Sequence, residues 1–251
     1  MTKITAIIPT LNEEIHIADA IASVSFADEI IVIDSFSTDK TLEIAEKLNV
    51  KIIKRKFDDF SSQKNFAIDQ AKHAWIYILD ADERVTKEVK EEIVSAIKDP
   101  KDFVGFYIRR TFYFAGEKIN YGGCQRDKVI RLFLKERSTY KGVVHERIVT
   151  NGKLGFFKNK IDHFSYKSYN HYVSKMNHYG ALRSQQFFEE GRKVNFFHIL
   201  IKPCARFFIH YVIRLGFLDG FAGLIFAKIQ AYSVLVKYVK LWLLKKGIKE
   251  H

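Results

Sequence analysis

Hydrophobic and polar positions divide the chain into three stretches of different rhythm. Over residues 1–100, short apolar runs alternate with amphipathic segments. Ile4–Pro9, Glu29–Asp34, Val50–Lys54 and Trp75–Leu79 are compact runs rich in β-branched and aromatic residues, the pattern of strands buried on both faces. Helices are expected between them, over Ile15–Val24, from a Thr38 or Asp39 cap to Leu48, and from Ser61 or Ser62 to Lys72. A further helix, Lys87–Lys98, places Val89, Ile93, Val94 and Ile97 on one face and takes Thr86 as its cap. Alternating strands and helices predict an α/β fold with a Rossmann-like, mostly parallel sheet.

From Phe103 to Phe157 the rhythm becomes a meander of short strands broken by turn signals at Gly116, Gly122-Gly123, Gly142, Asn151-Gly152 and Gly155. Ser168–Glu190 is helical again, with Gly191 as its stop. In the remaining stretch Lys202, Arg206, His210 and Arg214 recur every four residues on an otherwise apolar helix. Gly216-Phe217-Leu218-Asp219-Gly220 breaks that helix, and a second runs from Phe221 to Leu244.

Charge sharpens this division. The 251-residue chain carries a net charge of +12, and residues 191–249 hold eleven Lys/Arg against one acid, Asp219. A nearly balanced N-terminal part therefore precedes a basic, apolar tail, an amphipathic helical appendage suited to an anionic partner. Regularly placed cations argue against a simple membrane span. They favour helices lying in the interface of an anionic membrane, with Lys and Arg snorkelling to the headgroups; a hairpin packed on the preceding domain or on another subunit is the competing reading, and a spanning hairpin a lesser one. The apolar content of the tail argues against nucleic acid, whose binding surfaces are more polar. Cys124 and Cys204 lie far apart without ligand spacing and read as thiols in a reducing compartment. The N-terminal apolar run breaks at Pro9, too short for a signal peptide. Neither GxGxxG nor a P-loop is present.

The candidate chemistry centres on Ile76-Tyr77-Ile78-Leu79-Asp80-Ala81-Asp82-Glu83, a buried strand that runs into acids spaced i, i+2. Carboxylates at a strand's C-terminal end lie where open α/β sheets bind ligands. An Asp-x-Asp pair offers hard oxygen ligands to Mg²⁺ or Mn²⁺. Capping of the next helix is the alternative, but that role passes to Thr86. Asp34 ends a neighbouring strand in the same way, and the Thr10–Glu14 loop ends a third.

Four motifs then fall in the order and spacing of family 2 glycosyltransferases with the GT-A fold: Ile7-Ile8-Pro9-Thr10-Leu11-Asn12-Glu13-Glu14, Val32-Ile33-Asp34-Ser35-Phe36-Ser37-Thr38-Asp39-Lys40-Thr41, Gln63-Lys64-Asn65 and Leu79-Asp80-Ala81-Asp82-Glu83. The second half resembles the lipopolysaccharide core-biosynthesis glucosyltransferases. Its marks are Asp127 with Arg131-Leu132-Phe133, Gly142-Val143-Val144-His145-Glu146, Asp162-His163-Phe164-Ser165-Tyr166, Gly216-Phe217-Leu218-Asp219-Gly220 and Lys237-Tyr238-Val239-Lys240-Leu241-Trp242. Phe36 stands where that family commonly has glycine, which leaves the local turn geometry open.

The resemblance implies a GT-A domain with a nucleotide-sugar half (1–100) and an acceptor half (101–190), followed by a membrane-associating tail (191–251). It implies inverting transfer of a hexose from UDP-glucose to a lipid-linked saccharide such as the lipopolysaccharide inner core, at the cytoplasmic face of the inner membrane. A polyprenyl phosphate or another surface polysaccharide is the alternative acceptor. A divalent cation, Mg²⁺ or Mn²⁺, absorbs charge on the diphosphate leaving group. Asp82 is the expected direct ligand, and Asp80 holds the ribose or a metal-bound water. Thr10, Glu14 and Asp34 line the nucleotide pocket. Lys64 is either a cation beside the nucleotide or part of a solvated helix face, and Arg131 either holds phosphates or pairs with local acids. Glu146 is the first candidate for general base and Asp127 the second. His145 and His163 compete for a further metal or diphosphate contact.

Overall fold

Alternate apolar residues of the first strands point to opposite faces of one sheet, and each face has its own cover. The computed structural model describes residues 2–142, 146–164 and 169–248. They form two compact units, 1–110 with 128–163 and 111–127 with 164–251.

In the first unit β1 (Ile4–Thr10), β2 (Glu29–Asp34), β3 (Lys51–Lys54) and β4 (Trp75–Ile78) run parallel in the order β3-β2-β1-β4. Ile7, Ile31, Ile33, Ile76 and Ile78 cluster with Ala67 and Ile68 of α3 (Phe60–Asp69). On the other face Ile4, Ala6, Ile8, Val32 and Tyr77 pack with Ile17 and Ala20 of α1 (Ile17–Ser23) and with Val89, Ile93 and Ile97 of α4 (Lys87–Lys98). Each fully buried isoleucine contributes about 1.5–3 kcal/mol, so two-sided burial fixes these central strands. β3 needs less: it is the edge strand, and its terminal lysines are exposed. α2 (Thr41–Glu46) is shorter than its pattern suggested. Two expected caps move: Asp59, not Ser61 or Ser62, caps α3 by accepting from Ser62 N, and neither Thr38 nor Asp39 is the N-cap of α2, which starts after Lys40. Thr86 caps α4 as expected.

Beyond β4 the sheet continues through β8 (Val129–Leu134), antiparallel to β4, then β6 (Phe103–Phe114), β11 (Lys153–His163) and the short β5 (Glu83–Arg84). β9 (Ser138–Lys141) and β10 (Arg147–Thr150) form a separate antiparallel pair. The chain therefore does not simply exit at the acidic stretch. It turns at Ala81-Asp82 and re-enters the sheet, where Glu83 and Arg84 pair with His163 and Asp162. Between β6 and β8 the register slips, with Phe106 opposite Leu132 but Tyr107 opposite Ile130. Arg131 is the extra residue of this bulge, a device that re-aims a side chain.

In the second unit the end of β6 pairs with β7 (Glu117–Ile119), and α5 (Tyr169–Glu189) packs on α7 (Gly220–Lys245). Phe114, Ile119, Tyr172, Phe226 and Ile229 form one cluster; Phe187, Val234, Tyr238 and Leu241 form another. A helical segment, α6 (Lys202–Phe208) extended by π-helical turns Phe197–Ile201 and Ile209–Ile213, also packs on α7. Of the Gly216–Gly220 motif, Gly216 acquires a steric reason, together with Gly223, which follows the motif. A Cβ on Gly223 would lie 1.9 Å from the Gly216 carbonyl oxygen, and one on Gly216 would lie 2.6 Å from that of His210. Asp219 within it accepts from Asn120 N (3.1 Å) and Tyr121 N (2.8 Å).

The basic stripe of the tail does not face outward as its spacing suggested. His210 is buried, Lys202, Arg206 and Arg214 are half-buried, and Lys202 Nζ donates to Tyr238 Oη at 2.8 Å. The exposed surface is instead apolar: Phe196, Ile213, Phe217, Leu218 and Phe221 are open to solvent. The segment Gly216–Lys245 is long and apolar enough to cross a membrane, and 44% of its most apolar window is buried among the other helices.

His210 Nδ1 lies 2.6 Å from the Gly122 carbonyl oxygen, which assigns its proton there and leaves Nε2 to accept from Arg206 (3.4 Å) and Arg214 (3.2 Å). Burial and then the Arg214 charge hold this imidazole below its usual range, with Arg206 adding to them and the Gly122 carbonyl opposing. The unfolded chain takes up this proton near pH 6.5 and the folded chain only at lower pH, so its contribution to stability is complete above about 6.5 and falls with acidification below it. Thermal unfolding should therefore show a midpoint that drops between pH 7.5 and 5.5, with a smaller drop in His210→Gln.

Candidate functional site

The site forms at the C-terminal ends of β1, β2 and β4, where the loops that follow them meet. Asp34 ends β2 fully buried, and its carboxylate accepts from Ser37 N (2.8 Å) and Ser37 Oγ. Ser37 Oγ accepts in turn from Asn12 N (2.9 Å), and Asn12 Oδ1 accepts from Thr38 N (2.8 Å). The loops after β1 and β2 are thus tied together. Phe36 keeps the left-handed conformation of a glycine, φ 65°, with its ring exposed. A side chain pays roughly 1–2 kcal/mol for that conformation, so the Asp34–Ser37 turn is held by its hydrogen bonds and not by local preference. Thr10 is buried at the end of β1, and its Oγ1 has no hydrogen-bond partner among the described residues. Glu14 accepts from Lys40 N (3.0 Å), which places it against the loop between β2 and α2.

Three successive residues of α3 distribute themselves around this region. Gln63 Nε2 donates to Ser35 Oγ at 2.5 Å. Lys64 is buried, with Nζ 3.2 Å from Glu146 Oε1 and 3.7 Å from Asp80 Oδ1, and 5.1 Å from the centroid of the Tyr140 ring. Asn65 bonds both the carbonyl and the N–H of Tyr140, at 2.9 Å each, and so fixes β9 on the helix. Of the two sequence readings of Lys64, the solvated helix face is excluded by its burial.

The bulged Arg131 reaches both Asp80 and Glu83. Glu83 is fully buried and is joined by Arg110 at 3.3 Å. Burial alone would raise the Asp80 carboxyl, but Arg131 and Lys64 outweigh it and hold the pKa far below the usual carboxylate range. Burial by itself would lower Lys64 and Arg131, but Asp80 together with Tyr140 and Glu146 for the lysine, and Asp80 together with Glu83 for the arginine, outweigh it and leave both raised. Burial raises the Tyr140 hydroxyl. Asp80, Lys64 and Arg131 are therefore a fixed set of opposite charges, ionised across the neutral range.

Asp82 faces the other way. Its Oδ2 lies 3.4 Å from His163 Nε2, at the end of β11. This pair offers one carboxylate and one imidazole; among the described residues no group of three or more His, Cys, Asp or Glu forms a metal site, so a divalent cation held here would take its other positions from water or phosphate oxygens. Asp80, by contrast, is engaged with Arg131 and Lys64. His145 lies outside the described residues. Asp127 belongs to the second unit, directly after the 3₁₀ turn Cys124–Arg126. Thus Lys64, Asp80, Arg131 and Glu146 come together around one cavity, Asp82 and His163 form a pair, and Thr10, Glu14 and Asp34 share the loops at the strand ends.

The cavity has a volume of about 580 Å³ and is lined by Lys64, Asp80, Tyr107, Arg110, Lys128, Arg131, Tyr140, Glu146 and Arg147, among others. Arg110, Tyr140 and Glu83, which anchors Arg131, escaped sequence reasoning. Glu83 adjoins the Asp-x-Asp pair and was readable as part of that stretch. Arg110 and Tyr140 sit within aromatic-rich strand patterns that gave no sign of their partners.

A sheet with acids at its strand ends, beside a cation-lined cavity, defines an α/β protein of the kind whose ligands bind at the C-terminal edge of the strands. The chain belongs to glycosyl transferase family 2, whose family model matches residues 5–178. It is accordingly a glycosyltransferase of the GT-A fold with a helical C-terminal part. It is similar to an uncharacterized glycosyltransferase of Rickettsia felis, 31% identical over 96% of this chain and 90% of that protein. It is also similar to the lipopolysaccharide core biosynthesis glycosyltransferase LpsC of Rhizobium meliloti, 25% identical over 92% of this chain and 91% of that protein. A crystal structure of S. aureus TarS 1–349 in complex with UDP matches 45% of this chain and 37% of that chain, with a TM-score of 0.40 and 25% identity.

Arg131→Met should destabilise the protein by about 3–5 kcal/mol, because it leaves Glu83 buried without its main countercharge. Denaturant unfolding checks this; a loss below 1 kcal/mol would contradict the central place given to the ion group.

Proposed function

We propose that the chain is an inverting, metal-dependent hexosyltransferase that moves glucose from UDP-glucose to a lipid-linked saccharide of the lipopolysaccharide inner core. The observation that carries the reading is the turn after β4. It presents Asp82 beside His163 on one side and Asp80 between Lys64 and Arg131 on the other. LpsC, similar over nearly the whole chain, supports the choice of acceptor.

Asp82 and His163 would hold Mn²⁺ or Mg²⁺, which when bound neutralises charge on the diphosphate leaving group. Asp34 and Glu14 hold the nucleoside, and the unpartnered Thr10 hydroxyl gains a bond there. Asp80 orients the ribose side through its fixed carboxylate. Glu146, steadied by Lys64, removes the proton of the acceptor hydroxyl as that oxygen attacks the anomeric carbon. The bond from that carbon to the diphosphate oxygen breaks, and configuration inverts.

The exposed apolar side chains of residues 196–221 support a location on the cytoplasmic face of the inner membrane, with the helical unit inserted into the interface by its apolar surface. Exposed Arg192 and Lys193 at one end, and Lys245 and Lys246 at the other, suit anionic headgroups. This replaces snorkelling by the inward-facing stripe.

Transfer from UDP-glucose to purified lipopolysaccharide precursor should require Mn²⁺ or Mg²⁺ and stop in Asp82→Ala. A folded Asp82→Ala protein with near-normal turnover would remove the metal assignment. Glu146→Gln should lower kcat by about 10²–10⁴-fold with donor KM little changed; an unaltered kcat would move the base elsewhere. Phe217→Ser with Phe221→Ser should weaken sedimentation with anionic vesicles, and equal binding by this variant would argue against insertion through that face.

A further inference from the structure

We propose that the outer part of the cavity is an acceptor subsite for a saccharide bearing an anionic substituent, phosphate or carboxylate. Lys128 and Arg147 hold the anion, and the Tyr107–Phe156 pair lies against the sugar ring. The inference rests on the donor-site reading above and specifies what the acceptor must carry.

Five cations line the cavity. Three are committed: Arg131 to Asp80 and Glu83, Arg110 to Glu83, and Lys64 to Asp80 and Glu146. Lys128 and Arg147 are exposed and form no ion pair among the described residues. A cavity whose own acids are already matched, and whose remaining charges are both positive, selects an anion by charge-assisted hydrogen bonds.

The second observation is independent of charge. Tyr107 of β6 and Phe156 of β11 stack with centroids 4.8 Å apart and planes inclined by 23°. Phe156 is 61% exposed and belongs to no core cluster. Lys128 Nζ lies 4.9 Å from the Tyr107 centroid and 5.3 Å from that of Phe156, so cation and aromatic surface form one patch. Tyr107 belongs to the cavity wall itself. The C–H face of a pyranose is apolar and weakly positive, which matches the negative face of an aromatic ring. A neutral ring with one acidic substituent satisfies both halves of the patch; an inorganic anion satisfies only one.

The test uses the full chain with methyl α-mannoside, its 6-phosphate, methyl β-glucuronide and inorganic phosphate as probes, each titrated by calorimetry with and without UDP and Mn²⁺. One or both acidic glycosides should bind at least about tenfold more tightly than the neutral glycoside, and whichever is tighter identifies the anion. Lys128→Gln with Arg147→Gln should abolish that difference. Phe156→Ala should weaken all three glycosides and leave inorganic phosphate unchanged. UDP affinity should be the same in every variant. Equal binding of the three glycosides by the native chain would overturn the proposal. So would a loss of UDP affinity in the Lys128/Arg147 variant, which would assign those cations to the donor. Failure of the native chain to bind UDP at all would count against the donor reading, while the titrations without UDP still decide the subsite.

Discussion

The ion group of Arg131, Asp80 and Glu83 is the constraint on which the site depends. Glu83 is fully buried, and a carboxylate there is sustained by the Arg131 guanidinium, with Arg110 and the Asp80 N–H as further partners. Arg131 reaches it because a bulge in β8 turns that side chain out of register. The bridge therefore locks β8 to the turn after β4. With that turn fixed, Asp82 is delivered to His163 on β11 and Asp80 to Lys64 on α3. Loss of the arginine would leave Glu83 with Arg110 and Asp80 with Lys64 as their remaining cations.

The arrangement divides labour between two adjacent acids. Asp80 is saturated by cations of its own chain, which preorganises it and keeps it ionised. Asp82 is turned toward an imidazole, a pairing whose donor atoms suit a divalent ion. Spacing i, i+2 on an extended segment sends the two side chains the same way, but a turn at Ala81-Asp82 separates them. The different environments follow from that turn.

The helical unit follows a different logic. Its glycines permit backbone contact around the Gly216–Gly223 corner, and Asp219 ties that corner to Asn120 and Tyr121. Lys202, Arg206, His210 and Arg214 find partners inside the unit, so the polar groups of this stripe are consumed internally. The side chains left exposed between residues 196 and 221 are apolar. A surface of that kind, rimmed by lysine and arginine, is the observation on which the proposed insertion into a membrane interface rests.

Local chemistry was legible in the chain by itself. The strands Ile4–Thr10, Glu29–Asp34 and Trp75–Ile78, the Thr86 cap, the apolar face of Lys87–Lys98 and the acids at the strand ends all follow from periodicity and residue type, because these depend on neighbours within a few positions. The resemblance added the family, since motif order survives without knowledge of contacts. Tertiary structure alone decided the pairings. The Arg131–Glu83 bridge spans 48 residues and the Lys64–Glu146 pair spans 82, and no pattern along the chain encodes such meetings. It also decided which face of the basic helix turns inward. Four-residue spacing defines a stripe, but with apolar residues on every other side its direction is set by the acceptors that α7 and Gly122 offer.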